Sequence, residues 1–260
     1  MVGDEYLATE ILRHGAYVCL RAKGPNDAAA MARAPMQQLA ESLGLRNEYD
    51  PGDTPPEEAI AFLCRKAATP RDVSDDEVLN ADWVIHVGSR SADPVMTLCV
   101  QARRYLEPHA AVRILAGVVR PPTYTGAAME KWAHARAVVQ QPGTAMPNAF
   151  LLPMSKTADW WRKERYDDAG RMTAEGHAPA AAEGIPCVYR RSYHAMEQPA
   201  PQGSYDFITY FECGDADIPV FEKICASLRD VNVNPEWKFV REGPTWHGSR
   251  VPTWADLFVA

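Results

Sequence analysis

The residue types most suited to chemistry lie in one stretch, EGHAPAAAEGIPCVYRRSYH, from Glu175 to His194. In it, His177 directly follows Gly176, just past the end of a predicted helix, and the Ala-rich residues after it leave room for a large flat molecule. Histidine titrates near neutral pH and binds metal ions readily, although most histidines do neither. His177 is therefore a candidate ligand, and the alternative interpretation is a surface histidine in a loop.

Two adjacent arginines follow in the segment CVYRRSYH. If this segment is a strand, Arg190 faces one side of the sheet and Arg191 faces the other. One guanidinium must then point inward, where a charge is costly unless it meets a carboxylate or an anionic ligand. Both interpretations stay open: an anion site, or an ion pair with a neighbouring strand, for example with Glu212.

The segment SKTADWW brings a cation close to two indole rings. Trp160 and Trp161 are adjacent and cannot face the same way on a helix, so one interpretation is ordinary core. With Lys156 they could instead form an apolar wall with a cationic rim, which suits a large planar ligand that carries carboxylates. Tyr124, in RPPTYTG, offers a further hydroxyl. None of these signals is specific alone.

The elements that must position these residues follow a regular order in the second half of the chain. Periodicity and turn residues predict a β-α-β-β-α-β unit of the ferredoxin-like type. The predicted elements are the strand AFLLPMS, a helix from Thr157 to Gly176, the strands PCVYRRSYHAM and YDFITYFEC, the helix DADIPVFEKICASLRD and the strand WKFVRE.

The first half predicts a looser version of the same unit. Its elements are the strand AYVCLRA, the helix NDAAAMARAPMQQLAESLGL, the strand DWVIHVG, the helix ADPVMTLCVQARRYLEP and the strand AVRILAGVV. We interpret 47–77 as an acidic insertion with one short helix. The predicted boundaries are 1–120 for the N-terminal half, 121–148 for a long connector that suggests a functional loop, and 149–260 for the C-terminal half. Two such halves can pack sheet against sheet.

Composition excludes several classes of protein. The chain has 260 residues, 47% hydrophobic and 23% charged, with a net charge of −7. This charge offers no basic field to a nucleic acid. Six cysteines are scattered without CxxC spacing, which argues against a zinc ribbon or a disulfide framework. Without a signal peptide or an apolar span, we expect a cytoplasmic protein that does not enter a membrane.

Several segments taken in order resemble one family. The sequence LLPMSKTADWW, an acidic helix, EGH, then YRRSYH, DFITYFEC, ASLRDV and VREGPTWHG are similar to the C-terminal half of the chlorite dismutase family of haem proteins. The upstream segment AGVVRPPTYTG resembles the entry to the haem domain of that family. The match covers roughly Ala116 to Val251.

This resemblance implies an α+β fold in which two ferredoxin-like repeats form a dimeric α+β barrel-type domain. It also implies haem b in the C-terminal half, with His177 as the axial ligand of the iron. Arg190, thirteen residues later, becomes the residue above the iron.

The resemblance assigns further residues to the cofactor. Lys156, Trp160, Trp161 and Tyr124 would line the haem, with Lys156 and Tyr124 near its propionates. True chlorite dismutases have a glutamate that hydrogen-bonds the axial histidine, and Glu236 is the candidate here, where it would raise the basicity of the ligand.

The implied activity is decomposition of chlorite to chloride and dioxygen, with Arg190 holding the oxyanion over the iron. Leu152 stands where the family's coproheme decarboxylases have a tyrosine, which argues against that activity. Two alternatives stay open: a peroxidase-like haem enzyme acting on peroxide or another small oxidant, and a non-catalytic haem-binding protein of the same fold. The family also implies a homo-oligomer, a pentamer or smaller.

Overall fold

The computed structural model describes residues 14–48, 58–66, 80–119, 147–162, 187–197, 199–201, 204–243 and 245–259. Within them the strands are β1 His14–Ala22, β2 Arg46–Asn47, β3 Ala59–Arg65, β4 Trp83–Ser89, β5 Ala110–Val118, β6 Asn148–Lys156, β7 Val188–His194, β8 Phe207–Cys213, β9 Val240–Glu242 and β10 Trp246–Val251. The α-helices are α1 Asp27–Ala32, α2 Met36–Ser42, α3 Ala92–Leu106, α4 Ala158–Trp161 and α5 Ile218–Arg229, and 3₁₀ turns cover Asp215–Asp217, Pro235–Phe239 and Ala255–Phe258.

The strands form two ferredoxin-like units that share one closed sheet. In the first unit the neighbours run β3-β4-β1-β5, and in the second they run β7-β8-β6 followed by β9 and β10. Strand β5 pairs with β7, and β10 pairs with both β6 and β3, so the two units close into a barrel. The predicted α+β barrel of two ferredoxin-like repeats is confirmed.

The segment from Ala59 to Arg65 corrects one prediction. We interpreted it as part of an insertion with a short helix, but it forms strand β3, antiparallel to β4 on one side and to β10 on the other. Ala59–Leu63 are all buried, so both faces are covered and the run shows no alternation. A short apolar run of this kind cannot be assigned to strand or helix from periodicity. It completes the first ferredoxin-like unit.

The sequence predicts one helix before residue 46, and the structure has two shorter ones. Helix α1 ends at Ala32 and α2 begins at Met36, with Pro35 between them. Proline lacks the backbone N–H that a continuous helix needs, and it disfavours helical geometry in the residue before it.

Helix α4 is shorter than the predicted helix that starts at Thr157. It ends at Trp161, because Arg162 has extended backbone angles, φ −73° and ψ 131°. Residues 163–176 of that predicted helix lie outside the described residues.

Three groups of buried side chains hold the barrel together. One lies between the first unit and its helices, one fills the barrel interior, and one lies between the second unit and α5. Strand alternation sorts the residues: Leu151 and Tyr210 point into the barrel, whereas Phe150 and Phe211 pack against Phe221 of α5. The sheet of the second unit therefore has an interior face and a helix-side face.

The end of the chain crosses from the second unit to the first. Strand β10 pairs with β3, and Trp254 and Leu257 are buried in the core of the first unit. The Trp254 indole also donates a hydrogen bond to the carbonyl of Met31, at 3.2 Å. The predicted C-terminal half, 149–260, stays a prediction. In the described residues, the end of this half packs against the first unit.

Candidate functional site

Strand β7 presents its two arginines to opposite faces of the sheet. Arg191 lies on the interior face with Tyr189 and Tyr193, and Arg190 lies on the helix-side face with Val188. The side chain of Arg191 is only 8% exposed, whereas Arg190 is half-buried. The alternation predicted from the sequence places the two guanidiniums in different environments, as expected for a strand.

The inward arginine meets a carboxylate from the other half of the barrel. Arg191 Nη1 donates to Glu48 Oε1 at 2.9 Å and lies 3.2 Å from Nδ1 and 3.1 Å from Nε2 of His86. Glu212, our example of a partner, instead accepts from Arg250 Nε at 2.9 Å and from the Tyr210 hydroxyl. The ion-pair interpretation therefore holds for Arg191, with Glu48 as the partner.

These interior groups shift one another's protonation. Burial alone would raise the pKa of the Glu48 carboxyl, but Arg191, His86 and Arg250 together hold that pKa well below its ordinary value. Burial lowers the pKa of His86, and the nearby guanidiniums lower it further against the opposing effect of Glu48. Burial alone would lower the pKa of Arg191, but Glu48 together with the neighbouring tyrosines raises it well above its ordinary value. At neutral pH the site holds a carboxylate, a guanidinium and a neutral imidazole.

The helix-side face around Arg190 is of a different kind. Arg190 is in register with Phe211, which is in turn in register with Phe150. One row further along, the hydroxyls of Ser192 and Thr209 lie 3.1 Å apart. The face is therefore largely aromatic and aliphatic, with a charged guanidinium and a small hydroxyl pair, a composition typical of a site for a flat organic cofactor.

Lys156 does not form the predicted cationic rim. Its side chain is 6% exposed, and its ammonium makes an ion pair with the buried carboxylate of Glu236. The same ammonium lies 3.9 Å from the centroid of the Trp160 ring. Burial lowers the pKa of Lys156, although Glu236 opposes that shift. The reason is packing: β6 carries Lys156 under the Pro235–Phe239 turn, where a carboxylate compensates the charge.

Two polar atoms just beyond Lys156 are buried without a partner in the described part of the chain. They are the indole Nε1 of Trp161 and the hydroxyl of Thr157. A buried donor without an acceptor is unfavourable and is normally satisfied by water or by a ligand. An acidic group of a bound cofactor would accept from them, so this segment fits a haem whose carboxylates lie at this edge.

The remaining predicted site residues are placed only in part. His177 and Tyr124 lie outside the described residues. Leu152 is buried on the helix-side face of β6. Among the residues that the structure describes, no cluster of histidine, cysteine and carboxylate side chains is suited to hold a metal ion on its own.

No local pattern in the sequence identifies Glu48 or His86 as the partner of an arginine. Glu48 lies in the segment that we interpreted as an insertion, and His86 is a single polar residue inside the apolar strand WVIHVGS. A buried histidine in an otherwise apolar strand is the one feature that hints at an internal polar network.

Comparison with known proteins points to one group. A segment of 112 residues is 35% identical to chlorite dismutase from Ideonella dechloratans, and it spans 42% of this chain and 35% of that protein. No family model matches the chain.

Solved structures extend the likeness to the whole fold. Chlorite dismutase from Candidatus Nitrospira defluvii in complex with imidazole has a TM-score of 0.66 and 21% identity, covering 98% of this chain and 97% of that one. A variant of the same protein in complex with cyanide has a TM-score of 0.66 and 20% identity, covering 99% and 98%.

The resemblance predicted from the sequence is confirmed, and the chain is chlorite dismutase-like in fold. The sequence match covers about a third of the curated relative's length, 35%, so the activity of the whole protein is a separate question. In the described part of the chain, no helix has the length and apolar character needed to cross a membrane.

Proposed function

We propose that this chain is a haem b oxidoreductase that decomposes chlorite to chloride and dioxygen. When bound, the haem supplies the redox chemistry, and the protein supplies the axial ligand, a cation and a pocket of low polarity. The observation that carries the proposal is the position of Arg190: it lies half-buried on the aromatic helix-side face, while its neighbour Arg191 is held by Glu48.

Arg190 is the residue that we propose to hold the substrate. A guanidinium stays charged at any physiological pH and offers several donors in a fixed plane, which suits an oxyanion. Its aromatic neighbours on the sheet, Phe211 and Phe150, lower the local polarity and strengthen that attraction. Arg190 would bind and orient chlorite and retain the chlorine-containing product until the O–O bond forms.

On the opposite side of the cofactor we propose His177 as the axial ligand. Glu236 is the candidate acceptor for its second ring N–H, which would fix the ring and raise its basicity. The buried ion pair between Glu236 and Lys156 supports this role, because it fixes the position of the carboxylate. Lys156 would act through Glu236 in this role, and its position near the haem propionates stays a prediction.

The wall of the cofactor site is the third part of the proposal. Trp160, Trp161 and Tyr124 would line the haem, with the Trp161 N–H donating to a carboxylate. A homo-oligomer of five subunits or fewer and a cytoplasmic location remain predictions from the resemblance and the sequence. Light scattering measures the first, and cell fractionation measures the second.

The experiment compares wild type with Arg190→Ala and His177→Ala. Wild type should bind one haem per chain in a Soret titration and evolve dioxygen from chlorite. Arg190→Ala should bind haem equally well but lose about a hundredfold or more of its oxygen evolution, because one charged donor to the reacting oxyanion is gone. His177→Ala should lose the Soret spectrum that depends on an axial histidine.

Two results would contradict the proposal. An unchanged rate of oxygen evolution in Arg190→Ala would remove the assigned role of the arginine. Haem binding without chlorite turnover, together with peroxide-dependent oxidation of a dye, would instead favour the peroxidase-like alternative. A wild-type protein that stays colourless after haem is supplied would refute the enzyme assignment altogether.

A further inference from the structure

Among the described residues, strand β7, which carries Arg190, pairs along its whole length with β8. All of Val188–His194 is in register with β8, and His194 is also in register with Val118 of β5. The seam between β7 and β5 is where the two units meet. Side chains of β7 that cross this seam can fix the position of the strand relative to the first unit.

Two side chains of β7 reach across to the first unit. Arg191 donates to Glu48 at 2.9 Å, and the Tyr193 hydroxyl lies 3.0 Å from His86 Nε2. Glu48 and His86 also contact each other, with His86 Nδ1 3.3 Å from Glu48 Oε2. The contacts form one connected network that joins Arg191 and Tyr193, both on the interior face of β7, to the first unit.

The anchors in the first unit are themselves fixed. The Glu48 backbone N–H donates to the Ile60 carbonyl at 2.7 Å, and its own carbonyl accepts from Arg250 Nη1 at 2.7 Å. His86 lies in β4, which is paired on both sides by β1 and β3. A part of the barrel that is itself fixed by backbone pairing thus holds β7 through side chains.

The packing around Tyr193 requires a small residue opposite it. A Cβ atom added at Gly15 would lie 2.0 Å from Cζ of Tyr193, so only glycine leaves room for that phenol ring. Tyr193 is fully buried. The first unit therefore contacts β7 in two ways: through the ion pair of Arg191 with Glu48, and by packing Gly15 against the ring of Tyr193.

We infer that Glu48 and His86 are positioning residues for Arg190, and that they set from the first unit where the second unit presents its guanidinium. Arg190 directly follows Tyr189 and precedes Arg191, and adjacent Cα atoms are about 3.8 Å apart, so any movement of Arg191 moves Arg190 with it. A small displacement of a charged donor is enough to weaken an oriented contact. This inference rests on the proposed role of Arg190.

The test combines Glu48→Gln with Arg190→Ala in the haem-loaded protein, using cyanide as the probe anion. We expect Glu48→Gln to raise the cyanide dissociation rate and the KM for chlorite by about tenfold, with a smaller change in kcat. In the Arg190→Ala background the same substitution should change neither quantity, because the residue that it positions is absent. Hydrogen exchange of the β7 amides in the apoprotein should speed up in Glu48→Gln.

A matched control separates positioning from loss of stability. Leu98→Val removes a methylene from helix α3, in the core between the first unit and its helices and not in the barrel interior that holds Tyr193, and should lower the melting temperature without changing cyanide dissociation. Should Glu48→Gln fail to fold, the double variant Glu48→Leu with Arg191→Met removes both charges and keeps the volume. It should fold and show the same faster cyanide dissociation.

Three results would overturn the inference. The first is that Glu48→Gln changes the cyanide dissociation rate equally in the presence and absence of Arg190. The second is that Leu98→Val changes this rate as much as Glu48→Gln does. The third is that the folded double variant releases cyanide at the wild-type rate. Failure of the proposed function gives a different result: wild type would bind no haem, while hydrogen exchange would still report whether Glu48 anchors β7.

Discussion

The two faces of strand β7 carry the same residue type in two different settings. On the interior face, Arg191 is 8% exposed and is fixed by Glu48 and by the ring of His86. On the helix-side face, Arg190 is half-buried and is aligned with Phe211 and Phe150. One guanidinium is buried in the barrel interior and the other is half-buried on the helix-side face, so position in the pleat decides the environment of a charged residue.

The largest expected effect comes from removing the interior charge. Arg191→Leu leaves Glu48 buried without its main counter-ion, and it should lower the free energy of unfolding by about 3–5 kcal/mol. Arg190→Leu should change it by less than about 1 kcal/mol, because its side chain is only half-buried. Urea denaturation of the apoproteins measures both values.

The comparison has an internal control. Adding Glu48→Leu to Arg191→Leu removes the orphaned carboxylate and should restore most of the lost stability, since apolar residues replace buried ion pairs at little cost. Equal destabilisation by the two single arginine variants would mean that the two faces do not differ as described.

The second prediction concerns acid. Because burial lowers the pKa of His86 from 6.5, the unfolded chain binds a proton in a range where the folded protein does not. The contribution of His86 to the free energy of unfolding is therefore fully present above pH 6.5. It decreases as the pH falls from 6.5 toward the pKa of the folded state, by at most about 1.4 kcal/mol per pH unit. Facing His86 are Glu48, Arg191, Arg250 and the three phenols Tyr17, Tyr193 and Tyr210.

The measurement is the free energy of unfolding at pH 5.5, 6.5 and 7.5 in wild type and His86→Gln. Glutamine keeps hydrogen-bonding capacity but does not titrate, so the slope should be smaller. His247→Gln is the control, because partial burial also lowers the pKa of His247. The changes in the pH dependence of stability caused by His86→Gln and by His247→Gln should add. An unchanged slope in His86→Gln would show that His86 titrates normally in the folded state.

The sequence was sufficient for what depends on local pattern. Alternation in CVYRRSYH predicted one inward and one outward arginine, and the ferredoxin-like order of the second half is confirmed in β6, β7, β8 and α5. These features follow from spacings of two or about four residues, which are visible in any short segment.

Features that depend on closure of the barrel were not predictable. Glu48 meets Arg191, 143 residues away, only because the two units join at β5 and β7. Strand β3 escaped detection because it is covered on both faces, and the ion pair of Lys156 with Glu236 joins residues 80 positions apart. Contacts of this kind are set by the tertiary fold and leave no local pattern.

The smallest expected effect comes from a substitution in helix α4 that removes no charge. The Trp161 N–H is buried without an acceptor in the described residues, so Trp161→Phe should leave the stability of the apoprotein unchanged or slightly higher. If that N–H donates to a haem carboxylate, the same substitution should weaken haem binding by about 1 kcal/mol, or roughly fivefold in Kd. Trp160→Phe is the matched control: its ring lies under the Lys156 ammonium at 3.9 Å and is buried, so that variant should lose apoprotein stability. Unchanged haem affinity in Trp161→Phe would place the carboxylates elsewhere, and lower apoprotein stability would mean that the indole packs as core, as Trp160 does.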